Sequence, residues 1–231
     1  MDLLLEGVRQ ALTLVLAGDS EIWAILLLSL QVSGSATLVS LATGIPAGAA
    51  LALARFPGRS LVVSAVNSGM GLPPVVAGLF VTIMLWRSGP LGGLEILYTP
   101  AAIIVAQAVI AAPIVTGITL AAVQQVPAEF RLQLLALGAS RVQMVWVVLR
   151  EARLPMLAAV MAGFGGVISE IGASMMVGGN VKGQTRTLTT AMVLETGKGN
   201  FEVAIALALL LLVLVFLVNW ALTSIQQRRA F

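Results

Sequence analysis

The stretch LQLLALGASRVQMVWVVLREARLP, residues 132–155, separates the third long apolar segment of the chain from the fourth and decides how the whole fold is interpreted. Its pattern predicts a helix–turn–helix with the turn at Gly138, Ala139 and Ser140. Four arginines surround this turn: Arg131, Arg141, Arg150 and Arg153. The other long segments are hydrophobic enough to lie in lipid. We therefore expect a soluble partner to dock on this basic loop.

The composition is that of a polytopic membrane protein. Of the 231 residues, 59% are hydrophobic and 10% are charged, and the mean hydropathy is +1.03. A soluble domain of this length carries about 25% charged residues. The net charge of +3 is spread thinly over loops, so we expect no nucleic-acid partner. The absence of cysteine and histidine removes thiol chemistry and the usual zinc or copper ligands, so we expect neither a metal site nor a catalytic residue.

Five segments have the ~20 mostly apolar residues that a transmembrane helix needs: residues 22–54, 61–86, 98–123, 154–177 and 201–225. The first exceeds one bilayer crossing, so we expect part of it to tilt or project. Four prolines lie inside these segments and predict bends: Pro46, Pro73, Pro74 and Pro113.

The first 20 residues lack the basic start of a secretory signal. They place polar residues on one stripe at helical spacing, which predicts an interfacial helix over residues 1–20; a short frayed tail is the alternative. Residues 21–231 then form one transmembrane domain, with a cytoplasmic loop at residues 124–153.

Lysines and arginines predict the orientation. With the N-terminus outside, the inner side carries eight basic residues and the outer side five. Because basic residues favour the cytoplasmic side, we expect a multi-pass protein of the cell membrane with its N-terminus outside and its C-terminus in the cytoplasm.

Three motifs resemble a known family. Gly138-Ala139-Ser140-Arg141 and the amphipathic turn that follows, ending at Pro155, resemble the cytoplasmic loop of ABC importer permease subunits. Residues 72–80 (LPPVVAGLF) and 87–93 (RSGPLGG) are similar to the second span and following loop of oxyanion-importer permeases, and residues 169–192 are similar to the end of the fourth span and the loop after it. The nearest form is the tungstate importers' permease, with molybdate, sulfate and phosphate permeases as relatives.

The loop departs from the family pattern at two places. Residues 132–134 (LQL) stand where the family usually carries an acid and two alanines. Arg150-Glu151 stands where the family carries Leu-Pro, and Pro155 alone matches the second proline of the pattern. The resemblance therefore leaves the contacts of this loop with its partner open.

The resemblance implies an all-α integral membrane fold of the type I ABC importer permeases, working as a homodimer. It also implies that a separate ATPase subunit docks at Gly138, Ala139 and Ser140, with Arg131 and Arg141 pairing its acids, and that an extracytoplasmic binding protein delivers the substrate. The chain has no GxxxxGK[ST] loop, so ATP is expected on the ATPase subunit, with no cofactor in this chain. The alternatives are a basic loop that binds lipid headgroups, a stand-alone channel or secondary carrier, and a membrane scaffold without transport.

Candidate residues along the transport path are polar groups inside spans or in the outer loop. Glu170 is the one acid within a span, which marks a gate or a helix brace unless it simply reaches the outer interface. Asn67 and Ser68, close to Pro73-Pro74, are expected to line the path as a broken helix. The outer loop offers groups that suit an oxyanion or a docked binding protein, with turn and cap chemistry as the alternative: Asn180, Lys182, Thr185 and Arg186.

Overall fold

The computed structural model describes residues 5–10, 13, 18 and 20–228, with side chains through residue 227, and this part of the chain is built from helices. The helices are α1 Ser20–Leu53, α2 Arg59–Met70, α3 Pro74–Leu85, α4 Pro100–Gln124, α5 Ala128–Ala136, α6 Arg141–Glu151, α7 Arg153–Ile168, α8 Gly172–Gly178, α9 Leu188–Gly197 and α10 Phe201–Arg228. A 3-10 turn, Gly92–Leu94, lies between α3 and α4. The predicted interfacial helix falls largely outside the described residues; within it, residues 5–10 are helical.

Three described helices are long and apolar enough to cross a membrane: α1, α4 and α10. Two further pairs are bent, α2 with α3 by 103° and α7 with α8 by 59°, and the count reaches five spans if each pair is one span. Five spans therefore stays a prediction. The long first segment is one continuous helix of 34 residues that contains Pro46, and α4 likewise continues through Pro113.

The core is centred on α4, which packs most closely against α1 and also contacts α2, α3, α7 and α8. Glycines allow this approach: a Cβ on Gly48 of α1 would lie 2.5 Å from the carbonyl oxygen of Thr116 on α4. A polar contact reinforces it, since the hydroxyl of Ser40 donates to the carbonyl of Ala108 across the interface at 3.2 Å. The α1–α4 pair is thus the most tightly fixed part of the molecule.

The break between α2 and α3 has the local cause that the sequence suggests. Pro74 occupies the first turn of α3, where a missing N–H costs nothing, and it cannot continue α2. The backbone closes on itself at this point, because the N–H groups of Gly71 and Leu72 donate to the carbonyls of Ser68 and Gly69, both at 3.1 Å.

Candidate functional site

The predicted helix–turn–helix is present as α5 and α6. Gly138 has φ +87°, and no atom lies within 4 Å of the position that a Cβ would occupy. Glycine is therefore required here by the left-handed backbone and not by lack of space. The N–H of Gly138 donates to Leu135 and that of Ala139 donates to Leu134, both at 3.0 Å, which closes the C-terminus of α5.

Ser140 begins α6 with a capping box. Its hydroxyl accepts from the N–H of Gln143 at 3.3 Å, while its own N–H donates to the Gln143 side chain at 2.8 Å. The N–H and the hydroxyl of Ser140 thus both have hydrogen-bond partners within the turn. The tip is therefore held in shape by hydrogen bonds between its own residues.

Large apolar side chains are exposed around this tip. Leu137 is 84% exposed and Val142 is 79% exposed. Arg131 is half-buried and Arg141 is exposed, and among the described residues neither makes an ion pair. The opposite side of the helix pair is anchored, since Val148 and Ala152 pack with α4 in a buried cluster. Exposed apolar residues on a basic, rigid element indicate an interaction surface.

Glu170 lies at the break between α7 and α8 and is 8% exposed. One carboxylate oxygen accepts from the backbone N–H of Ala173 at 2.9 Å, which satisfies a free donor in the first turn of α8. The Glu170 carbonyl, freed by the break, accepts from the hydroxyl of Thr189 at 3.1 Å. This geometry is that of a residue bracing a broken helix.

Asn67 and Ser68 lie near the end of α2, just before the other break. Both are exposed in the single chain, and α2 buries none of its residues. The structure therefore presents these two polar side chains on an open face, next to the backbone turn at residues 68–72.

The outer-loop candidates divide into two groups. Thr185 is fully buried, and its hydroxyl donates to the carbonyl of Gly178 at 2.6 Å and accepts from the N–H of Val181. Asn180, with φ +51°, donates to the carbonyl of Thr190. Both side chains thus make hydrogen bonds that connect the loop to neighbouring backbone.

Lys182 and Arg186 meet at the outer end of α1. Lys182 lies 2.7 Å and Arg186 3.6 Å from the carboxylate of Glu21. Both cations also line a cavity of about 410 Å³ beside α1. Of the four loop residues, these two present charge at the surface.

The structure also contains functional candidates that the sequence reasoning missed. Residues 187–190 (TLTT) begin the unpredicted helix α9 and are all buried. The N–H of Leu188 donates to the hydroxyl of Ser29 on α1 at 2.8 Å, so this segment joins α1 to the Glu170 break. In α4, the amide of Gln107, 2% exposed, donates to Ser174 of α8 at 3.3 Å. Gln107 could have been identified from the sequence, because it is a polar amide inside an apolar segment.

The far end of α9 carries a small electrostatic cluster. The carboxylate of Glu195 accepts hydrogen bonds from Asn200 at 2.7 Å and from Lys198 at 2.6 Å, and these bonds lower the pKa of Glu195. Among the described residues, no group of three or more Asp, Glu, His or Cys is placed to hold a metal.

Comparisons with known proteins agree with this architecture. Residues 44–231 match the family described as the binding-protein-dependent transport system inner membrane component. The chain is 43% identical to a probable anion ABC transporter permease protein of Haloferax volcanii, over 75% of this chain and 77% of that protein. It is 37% identical to the tungstate uptake system permease protein TupB of Peptoclostridium acidaminophilum, over 98% and 100% of the two chains.

A structure of the methionine ABC transporter MetNI matches with a TM-score of 0.73 at 24% identity, covering 90% of this chain and 94% of that one. This likeness establishes the fold, and it confirms the prediction of an all-α permease of the type I importer class. The family match confirms the resemblance that the three sequence motifs indicated. The chain belongs to the binding-protein-dependent transport system inner membrane component family.

Proposed function

We propose that this chain is the permease of an ATP-driven ABC importer that carries a tetrahedral oxyanion, preferentially tungstate, into the cytoplasm. Two copies form the path, an ATPase subunit docks on each α5–α6 tip, and an external binding protein delivers the anion. The ATPases shift the dimer between two conformations, one open to each side.

The observation that carries the proposal is the α5–α6 tip. It is rigid, basic, and apolar at its surface, with Leu137 and Val142 almost fully exposed. A loop that only marked the cytoplasmic side would need no exposed leucine or valine. A docking element needs both an apolar contact and charges that orient it. The ATP that such a machine needs is assigned to the docked subunit.

The broken helix α2–α3 supports a path between two copies. Irregular backbone at membrane depth is tolerated where it is covered by protein or faces water. In one copy, Asn67 and Ser68 are exposed beside such backbone. A second copy facing this side would enclose a polar passage lined by Asn67 and Ser68, with Glu170 bracing the other broken helix or serving as its gate.

The substrate class follows from the relatives, two of which are named as anion and tungstate permeases. Lys182 and Arg186 both pair with Glu21 at the outer surface, and the two cations against one carboxylate leave a net charge of +1 that suits an anion arriving from a binding protein. Molybdate, sulfate and phosphate are the alternative substrates, since they share the tetrahedral geometry.

Competition uptake tests the substrate. The permease, its ATPase and its binding protein are reconstituted in vesicles, and ATP-dependent uptake of radiolabelled tungstate is measured with a tenfold excess of molybdate, sulfate or phosphate. We expect sulfate and phosphate to leave tungstate uptake nearly unchanged. Stronger competition by another anion would reassign the substrate while leaving the permease role intact.

Two controls test whether transport needs the ATPase and on which side of the membrane the tip lies. Uptake by vesicles holding this chain alone would favour the stand-alone channel or carrier. A Ser140→Cys variant should react in intact cells with a membrane-permeant maleimide and not with an impermeant one, because the tip is proposed to face the cytoplasm. Labelling by the impermeant reagent would reverse the orientation and remove the ATPase docking site.

A further inference from the structure

The proposed docking role accounts for the tip of the α5–α6 pair but not for its other end. There Arg150-Glu151 replaces the Leu-Pro of the family pattern, and Arg153 begins α7. The helix α6 has 11 residues and is therefore about 16 Å long, which separates this end from the Ser140 cap. The two ends of α6 are distinct surfaces.

A cavity of about 350 Å³ lies at this second end. It is lined by Val147, Arg150, Glu151, Arg153 and Leu154. Arg150, Glu151 and Arg153 are exposed, and among the described residues no carboxylate lies within ion-pair distance of either arginine. The cavity thus combines two guanidinium groups that make no ion pair with the described residues, one carboxylate and an apolar wall.

Arg150 is held in place by an aromatic ring. Its guanidinium carbon lies 5.4 Å from the centroid of Trp146, which is within the range of a cation–π contact. Trp146 itself is 60% exposed. Tryptophan with arginine is the combination that membrane proteins place at the level of lipid headgroups.

The cavity lies at the start of an apolar helix. Arg153 is the first residue of α7, and the helix continues as an apolar segment through Ile168. Phosphate is the group that arginine binds best in a two-pronged geometry. With two arginines and Glu151 the lining carries a net charge of +1, which one anionic headgroup neutralises and a zwitterionic one does not.

From this geometry we infer that Arg150 and Arg153 form a binding site for the phosphate of an anionic phospholipid, such as phosphatidylglycerol, at the root of the α5–α6 pair. The acyl chains lie along the apolar start of α7, and the headgroup hydroxyls donate to Glu151. The bound lipid holds the C-terminal end of α6, opposite the tip, in position. The inference rests on the proposed function only in assigning the site to the inner leaflet.

Native mass spectrometry of the purified chain in detergent tests the site without any transport assay. Phosphatidylglycerol is titrated against phosphatidylcholine, and retained lipid adducts are counted. We expect phosphatidylglycerol to be retained preferentially. The double variant Arg150→Gln/Arg153→Gln should lower its apparent affinity roughly 25-fold, at about fivefold for each basic residue. Equal retention of the two lipids, or no loss in the double variant, overturns the site.

Three further measurements identify which residues and which ligand cause the lipid preference. Arg55→Gln removes an exposed arginine that does not line this cavity, and it should change retention much less than the double variant does. Arg150→Lys/Arg153→Lys keeps the charge and should retain most of the preference, which guards against a folding defect in the glutamine variant. Displacement of the lipid by glycerol 3-phosphate would assign the surface to a soluble phosphate and refute the lipid site.

Because this measurement uses the permease alone, its failure leaves the proposed importer function untouched. Conversely, a chain that transports nothing would still show the lipid preference.

Discussion

The substitution Gly138→Glu separates docking from folding at the α5–α6 tip. Gly138 has φ +87° and open space around it, so glutamate there meets no clash. The folding cost is limited to the left-handed backbone, roughly 1–2 kcal/mol. If the tip inserts between the apolar surfaces of an ATPase, however, the new carboxylate is buried without a partner, at a cost of about 3–5 kcal/mol.

The docking cost corresponds to at least a 100-fold loss of affinity, since each ~1.4 kcal/mol is tenfold. The chain offers a matched control in Gly58, which also has a left-handed backbone, at φ +82°, and nothing within 4 Å. Gly58→Glu carries the same strain and the same charge on the same side of the proposed membrane. We therefore expect equal thermal stability for the two variants but loss of ATPase co-purification and ATP-driven uptake in Gly138→Glu alone.

The reasoning would be refuted by uptake and ATPase binding in Gly138→Glu equal to those of Gly58→Glu. That result would mean that the tip stays in solvent during transport. The exposed Leu137 and Val142 would then have no binding partner. The loop would serve only to set the orientation of the chain in the membrane.

Three other perturbations follow from particular contacts. Gly48→Ala should lower the stability of the detergent-solubilised chain by about 1–3 kcal/mol, because the added methyl meets the Thr116 carbonyl; thermal unfolding measures this. Glu170→Ala should cost about 1–3 kcal/mol, since the buried N–H of Ala173 loses its acceptor, whereas Glu170→Gln should retain most of the stability. The folded pKa of Glu195 lies below its ordinary value of 4.5, so its stabilisation is present above that pH and is lost as the pH falls through the folded pKa. Amide protection factors at residues 197–201, which remove the intrinsic pH dependence of exchange, should therefore fall below pH 4.5 in the parent chain and depend less on pH in Glu195→Gln.

Features with local causes could be predicted from the sequence. The turn at Gly138 follows from a glycine between two amphipathic segments, and the cap at Ser140 from its spacing to Gln143. The break after α2 follows from Pro73-Pro74. The long apolar segments are recognisable from length and composition alone. In each case the residues that cause the feature are neighbours in the chain.

Features with distant causes could not be predicted. The break between α7 and α8 contains no proline, and its freed carbonyl is satisfied by Thr189, 19 residues away. The helix α9 begins with buried threonines whose burial depends on packing against α1. The hydroxyl of Thr185 is of a type that suits an oxyanion, yet it donates to the Gly178 carbonyl within the loop. Only the folded chain reveals which polar groups already have partners.

The positions of the continuous and the broken helices suggest how a displacement of the tip would be transmitted to the rest of the chain. The tip continues into α4 through a short link, residues 125–127, and α4 is locked to α1 by the close approach at Gly44 and Gly48. The broken pairs also contact each other, since Gly78 of α3 lies against Ala173 of α8. Because α4 and α1 are continuous and tightly packed, displacement of the tip moves them as one body. We expect the relative motion to be taken up at the two breaks, where Glu170 and Ser68 lie.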